Sequence, residues 1–247
     1  MTFPAELDIG TPAELDIGTP AWLGIGAQRS GTTWFTDLLT QHPQVGLGVN
    51  GKKEQHLLHK VGDGVEPASA YLDLFPADGI RRGDWTPQYL RHASAPAAAA
   101  RLLGPDVPVL VLLRDPVERF VSAMRLAATR AKSPWPYPVP MTVQSFSGFY
   151  ADQLAMWAHH VGRERMHVMV FEAVRTQPQA AVDAVWTRLG VPVVPLRDVE
   201  RPSGSSSQAS WTPPEGLLAS LEVLYRPQVR RLIEEWGLDV STWSTQP

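Results

Sequence analysis

Residues 22–33 constrain the fold of this chain more than any other segment. Trp22–Gly26 is a short apolar run that ends in glycine, and Thr32–Leu39 has the pattern of a helix that must end before Pro43. Backbone N–H groups at such a strand–loop–helix junction converge on one point, where the helix N-terminus adds a partial positive charge. The joining loop, Gly26–Thr33, is therefore predicted to bind an anion.

Further apolar runs alternate with helix-like sequence along the rest of the chain. Val107–Leu113 is continuous enough to be a strand buried on both faces, and Met166–Phe171 is a third such run. Helical patterns follow at Pro178–Leu189 and at Leu217–Trp236. This alternation predicts an α/β fold, a single domain with a central parallel β-sheet flanked by helices, in a P-loop-like arrangement.

An octapeptide repeat precedes that domain. Pro4–Thr11 recurs almost unchanged as Pro12–Thr19, and residues 20–26 form a degenerate third copy. Two copies are too few to build a solenoid. We expect residues 1–20 to be a repeat-containing N-terminal tail, either loose or added at an edge, and residues 21–247 to form the domain; a functional role for the tail stays open.

Composition excludes several classes of protein. The formal net charge of −3 gives no global basic field, so nucleic acid is not expected as a partner. The absence of cysteine removes disulfides and thiolate metal sites and is consistent with a cytoplasmic protein. No secretory leader and no apolar stretch long enough for a transmembrane segment are evident. No ligand cluster calls for a metal, and the richness in Ala, Pro, Arg and Gly hints at a bacterial source.

The glycine loop departs from the nucleotide-triphosphate loop at one position. Its spacing fits GxxxxGK[ST], but Thr32 stands where the lysine belongs. That lysine normally reaches the terminal phosphates, so ATP or GTP chemistry loses a central group. Arg29 supplies a cation instead, and Thr32 and Thr33 add hydroxyl donors. A glycine-rich turn without a ligand is the alternative.

A second motif, Arg114–Ser122, follows the buried run Val107–Leu113. Asp115 is expected to cap the next helix. An arginine at the end of a strand and a serine two turns into the following helix can converge on one phosphate. The alternative makes Arg114 a surface charge and Ser122 a tolerated helix residue.

Together the two motifs resemble the sulfotransferase family, particularly the branch that includes the heparan sulfate enzymes and many bacterial relatives. The resemblance implies 3′-phosphoadenosine 5′-phosphosulfate (PAPS) as donor, adenosine 3′,5′-bisphosphate (PAP) as product, and no metal. By carry-over, Arg114 and Ser122 bind the 3′-phosphate, Arg29 bridges the phosphate leaving group and the moving sulfuryl group, and a late loop with Arg201 and Gly204 closes over the donor. The predicted residues around the 5′-phosphosulfate are Arg29, Ser30, Gly31, Thr32, Thr33 and Trp34.

A Glu-x-His pair lies between the motifs. The family branch has a Glu-x-His sequence at this place, and its glutamate is the general base. Glu54 and His56 match these two residues. The reaction needs a group that takes the proton of the acceptor hydroxyl during in-line attack on sulfur. Glu54 is the predicted base, His56 the alternative, and Lys53 a predicted acceptor contact.

The acceptor is expected to be a small-molecule or glycan hydroxyl, on a sugar, a lipid or a natural-product alcohol. Residues 83–89 resemble the family's acceptor segment, with Asp84 in place of its glutamate and Trp85 at a position that is often lysine or a small residue. Trp85, Tyr89 and Trp135 are predicted to stack on the acceptor, with burial in the core as the alternative. Two other functions remain open: a P-loop phosphotransferase or kinase, and a non-catalytic nucleotide-binding protein of the same fold.

Overall fold

The computed structural model describes residues 18–130, 139–200 and 211–247. Its centre is a five-stranded sheet in the order β2-β3-β1-β4-β5, in which every paired neighbour runs parallel. The strands are β1 (Trp22–Gly26), β2 (Val45–Leu47), β3 (Arg81–Trp85), β4 (Val109–Leu113) and β5 (Met166–Val170). The predicted α/β class with a central parallel sheet is confirmed.

Helices occupy most of the connections between strands. They are α1 (Thr32–Leu39), α2 (Leu58–Gly62), α3 (Ala68–Leu72), α4 (Ala95–Leu102), α5 (Pro116–Arg130), α6 (Val139–Phe146), α7 (Tyr150–Val161), α8 (Phe171–Thr176), α9 (Pro178–Arg188) and α10 (Leu217–Trp236). The described residues also form two short 3₁₀ helices, Pro87–Arg91 and Arg163–Arg165.

Strand β4 shows why helices cover both faces of the sheet. Alternate residues of a strand point to opposite faces, and Val109, Val111 and Leu113 pack in one apolar cluster while Leu110 and Leu112 pack in the other. The first cluster is completed by α4, α7 and α10, and the second by α1, α8 and α9. The continuous apolar run in the sequence is therefore a strand buried on both sides.

The order of the strands fixes where a ligand can bind. From β1 the chain goes outward to β2 on one side, and from β4 it goes outward to β5 on the other. Since β1 and β4 are neighbours, a crevice opens between the loops that leave their carboxyl ends. Open α/β sheets bind ligands at such a switch point, and both predicted motifs leave from it.

Long elements agree with the sequence better than short ones. Helix α1 has the predicted bounds, β4 lies within the predicted run, and α10 continues through Pro227 without interruption. The proline-rich segment 132–140 lies outside the described residues except at its end, where α6 begins. Among the described helices, none combines the length and apolarity needed to cross a bilayer.

Candidate active site

The anion loop is shaped by backbone that only particular residues adopt easily. Gly31 has a φ of 85°, and a Cβ placed on it would lie 2.4 Å from the Phe171 ring. Glycine alone avoids both the strain and the collision. Arg29 also lies in the left-handed region, with a φ of 69°. Gly31 leads directly into α1, so the N–H groups of the first helical turn are directed toward the crevice.

The second motif folds as its sequence predicts. Asp115 Oδ1 accepts hydrogen bonds from the backbone N–H groups of Val117 (2.8 Å) and Glu118 (3.0 Å), which is the geometry of a helix N-cap. This cap fixes the start of α5, and Ser122 lies two turns further along. Arg29 Nε donates to Ser122 Oγ over 3.2 Å, so the structure brings the two motifs together.

Arg114 is held from three sides. Its Nε and Nη2 donate to Glu118 Oε2 at 3.1 and 2.5 Å. Its guanidinium lies 5.6 Å from the centre of the Phe171 ring, and its carbonyl accepts a hydrogen bond from the buried Tyr150 hydroxyl at 3.1 Å. The same Phe171 ring limits Gly31, so one aromatic side chain positions both motifs.

Glu54 lies between two nitrogen donors. Lys53 Nζ is 3.2 Å from its Oε1 and His56 Nε2 is 3.3 Å from its Oε2. Its side chain is 37% exposed, which leaves the carboxylate accessible to a hydroxyl from outside. The predicted base and its predicted alternative are therefore direct neighbours.

The backbone that carries Glu54 and His56 is anchored by the end of β3 and by the segment that follows it. Asp84 Oδ1 accepts from the Gln55 N–H at 3.3 Å and from the Thr86 hydroxyl at 2.9 Å. The Tyr89 hydroxyl accepts from the N–H groups of Leu57 and Leu58, each at 3.1 Å. Asp84 is fully buried, and burial raises its pKa to about 7, opposed by the Thr86 hydrogen bond and the charge of Lys53.

Two predicted acceptor contacts are wrong in this structure. Trp85 and Tyr89 are fully buried, so neither ring can stack on an acceptor. Trp85 packs edge-on against Trp22 and Phe35 with ring centres 6.4 and 5.6 Å away, because β3 is an internal strand with both faces covered. Tyr89 faces the backbone of α2, as described above.

The remaining predicted residues fall into two groups. In the loop, Ser30 is fully buried, Thr32 is nearly so, and Thr33 is exposed. Trp34 packs edge-on against Phe171 and donates from Nε1 to the Val199 carbonyl at 3.4 Å. The predicted contacts Trp135, Arg201 and Gly204 lie outside the described residues. Within the described ranges, no group of three or more His, Asp or Glu side chains is placed to hold a metal ion.

Comparison with known proteins decides the family. The sulfotransferase domain model matches residues 20–203, about three quarters of the chain. The chain belongs to the sulfotransferase family. No curated protein sequence matches it.

Solved sulfotransferases share the fold at low sequence identity. A sulfotransferase from Alicyclobacillus acidocaldarius is 23% identical, with a TM-score of 0.74 over 92% of this chain and 99% of that one. The sulfotransferase domain of a Synechococcus olefin synthase is 15% identical, with a TM-score of 0.59 over 93% and 98% of the two chains. A mouse sulfotransferase solved in complex with PAP is 14% identical, with a TM-score of 0.50 over 72% and 61%.

Several residues that build the candidate site carry no motif in the sequence. Phe171 is only the end of an apolar run and Tyr150 belongs to no motif, although both contact Arg114. Asp84 differs from the family pattern without an evident role in the sequence. The signal in the sequence is a single carboxylate between a glycine and a tryptophan, Gly83 and Trp85, which can serve as a buried polar anchor.

Proposed function

We propose that this protein transfers a sulfuryl group from PAPS to an acceptor hydroxyl. One observation carries the proposal: the anion loop and the Arg114–Ser122 motif meet at the switch point of the sheet, joined by the 3.2 Å hydrogen bond between Arg29 and Ser122. A donor with phosphate groups at both its 5′ and 3′ positions needs two anion subsites on one crevice. Family membership and the fold shared with a PAP-bound relative support the same donor.

In this proposal the loop Gly26–Thr33 holds the 5′-phosphosulfate through its N–H groups and the start of α1. Arg114 and Ser122 bind the 3′-phosphate, which an arginine can grip with two parallel hydrogen bonds. Arg29, between the two subsites, stabilises negative charge on the donor. Because Arg114 now pairs with Glu118, the 3′-phosphate takes the place of that carboxylate.

Glu54 acts as the general base. Its carboxylate is accessible, is flanked by Lys53 and His56, and lies next to the donor loop through the contact between Lys53 and Thr32 at 3.2 Å. The acceptor oxygen attacks sulfur as Glu54 takes the hydroxyl proton. The bond between sulfur and the bridging phosphate oxygen breaks, and its electron pair stays on PAP. The acceptor is a small-molecule or glycan hydroxyl, and the protein acts in the cytoplasm.

Calorimetry tests the donor assignment. We expect PAP to bind at least about 100-fold more tightly than ATP, because only PAP presents a phosphate to Arg114. Arg114→Ala should lower the affinity for PAP and leave the affinity for adenosine 5′-phosphate nearly unchanged. Equal binding of PAP and ATP contradicts the assignment.

Transfer of labelled sulfate from PAPS tests the chemistry. A screen of sugars, phenols, lipids and natural-product alcohols identifies the acceptor, and Glu54→Gln is then expected to keep PAP affinity while transfer falls by about 100-fold or more. Glu66→Gln, a glutamate outside the site, is the matched control. Full activity of Glu54→Gln moves the base to His56.

A further inference from the structure

A lysine from outside the anion loop lies where the loop itself lacks one. Thr32 occupies the lysine position of the nucleotide-triphosphate pattern. Lys53 Nζ donates to Thr32 Oγ1 over 3.2 Å, although the two residues are 21 positions apart in the chain. The ammonium therefore reaches the first turn of α1 from the segment that follows β2.

The position of this ammonium is defined by several contacts. The Lys53 carbonyl accepts a hydrogen bond from the Trp85 N–H at 3.3 Å, which ties its backbone to the end of β3. Its side chain is only 14% exposed. The ammonium contacts Glu54 at 3.2 Å, and the carboxylates of Asp84 and Asp37 act on it electrostatically. The largely covered ammonium therefore lies between Glu54 and the start of α1, in contact with both.

Arg29 links the anion loop to the second motif. Its Nε reaches Ser122 on α5, the helix whose first turn lies beside Arg114. The two cations thus approach different parts of the proposed donor site. Arg29 approaches the side assigned to the 3′-phosphate, and Lys53 approaches the helix start assigned to the 5′-phosphosulfate.

We propose that Lys53 is a catalytic residue, the cation that contacts the 5′-phosphosulfate in place of the missing loop lysine. This inference rests on the proposed sulfuryl transfer. As the bond between sulfur and the bridging oxygen breaks, that oxygen keeps the electron pair and Lys53 stabilises the new charge on the 5′-phosphate. The sulfuryl group passes to the acceptor oxygen, and the acceptor's proton passes to Glu54. The same ammonium thereby couples the base to the leaving group.

The competing explanation is structural. Lys53 would then only neutralise Glu54 and Asp84 and hold the loop in shape. The two explanations differ in which ligands bind more weakly when the ammonium is removed. A donor-contacting lysine affects only ligands that carry a 5′-phosphate, whereas a loosened loop affects every ligand of the crevice.

The test therefore compares two probes, PAP and adenosine 3′-phosphate, which lacks the 5′-phosphate. Lys53→Met keeps the aliphatic stem and removes the charge. We expect this substitution to lower the affinity for PAP by about 10- to 100-fold, which is the contribution of a charge-assisted hydrogen bond. The affinity for adenosine 3′-phosphate should fall by less than about threefold. Lys53→Arg should restore PAP binding to within about tenfold of wild type, because the charge is retained.

Lys52→Met is the matched control, because Lys52 is the exposed neighbour of Lys53, and it should leave both affinities unchanged. Equal weakening of both probes in Lys53→Met, or weakening of neither, overturns the role of Lys53 while PAP binding by wild type still supports the proposed function. If wild type binds neither probe, the proposed function fails and the role of Lys53 fails with it.

Discussion

At the scale of single residues, the carboxylate of Glu118 pairs with Arg114, the arginine that we propose binds the 3′-phosphate. Glu118 binds Arg114 through two hydrogen bonds from one turn along α5, and its own side chain is 54% exposed. An exposed ion pair of this kind is worth at most about 1 kcal/mol. A phosphate that binds Arg114 must displace Glu118, so the pair weakens binding of the 3′-phosphate without blocking it.

Glu118→Gln is accordingly expected to raise the affinity for PAP by about two- to fivefold, because a neutral amide competes with the 3′-phosphate for Arg114 less well than a carboxylate does. Affinity for adenosine 5′-phosphate, which lacks the 3′-phosphate, should not change. Calorimetry at low salt measures both, with Glu222→Gln on α10 as the control. An equal gain for both nucleotides points to a general charge effect and contradicts the assignment of Arg114.

Asp84 makes stability depend on pH. Its pKa of about 7 in the folded protein lies above the ordinary value of 3.8. Between these values the native chain holds a proton that the unfolded chain has lost, so the free energy of unfolding falls as pH rises from about 4 to 7. The slope is on the order of 1 kcal/mol for each pH unit.

Asp84→Asn removes this titration and keeps an oxygen for Gln55 and Thr86. Urea unfolding between pH 5 and pH 8 should show the variant gaining stability relative to wild type as pH rises. Asp78→Asn, an exposed aspartate whose pKa is lowered by its hydrogen bond with Arg82, should follow wild type over this range. Parallel curves for Asp84→Asn and wild type exclude the assigned pKa.

At the scale of elements, the junction of β1 and α1 depends on one glycine. Gly31→Ala must place a Cβ into a left-handed conformation and against the Phe171 ring. We expect a loss of about 2 kcal/mol in the free energy of unfolding and weaker PAP binding, since α1 and Arg114 share that ring. Gly104→Ala, whose Cβ meets only Val107 at 3.9 Å, should cost less than about 0.5 kcal/mol. Unchanged stability in Gly31→Ala shows that the loop adapts.

Elements with strong local signals were predictable from the sequence, and those defined by neighbours were not. The apolar run that predicts β4 follows from the burial of that strand on both faces. The helical pattern that predicts α1 follows from the burial of one face of that helix. Strand β3, with Arg81, Arg82 and Asp84, has no such pattern and exists because it pairs between β2 and β1. Tertiary context determines strands of this kind.

The same distinction applies to the site. Motif spacing points to Arg29 and Ser122, and the structure brings these two into contact, whereas Glu54 is indicated by the resemblance to the family. The positions of Trp85 and Tyr89 depend on β3, so their burial could not be inferred without that strand. The contact of Lys53 with Thr32 depends on how the loop after β2 folds back, which no local pattern encodes.

At the scale of the whole molecule, residues 243–245 hold the start of the Arg114–Ser122 motif in place. Asp115 Oδ2 accepts from the Ser244 hydroxyl at 2.8 Å and from the Thr245 N–H at 3.0 Å, across more than 120 positions. Trp243 Nε1 donates to Glu172 Oε2 at 2.8 Å, and Glu172 Oε1 accepts from the Asp115 N–H. The segment Trp243–Thr245 thus fastens α5 and the start of α8 together beside Arg114.

Trp243 is the apolar part of this fastening, 3% exposed and 6.4 Å from the Tyr150 ring. Trp243→Ala is expected to lower the free energy of unfolding by about 3–5 kcal/mol, because a large buried ring leaves a cavity. Trp243→Phe keeps most of the packing but leaves Glu172 Oε2 without the hydrogen bond from Trp243. It should lower the free energy of unfolding by about 1–2 kcal/mol. Since Tyr150 also binds the Arg114 carbonyl, PAP affinity should fall in the same order.

Denaturant unfolding and calorimetry on both variants measure stability and PAP affinity, with Ser241→Ala as the control. Loss of stability with unchanged PAP affinity means that the C-terminal segment supports the fold but not the donor site.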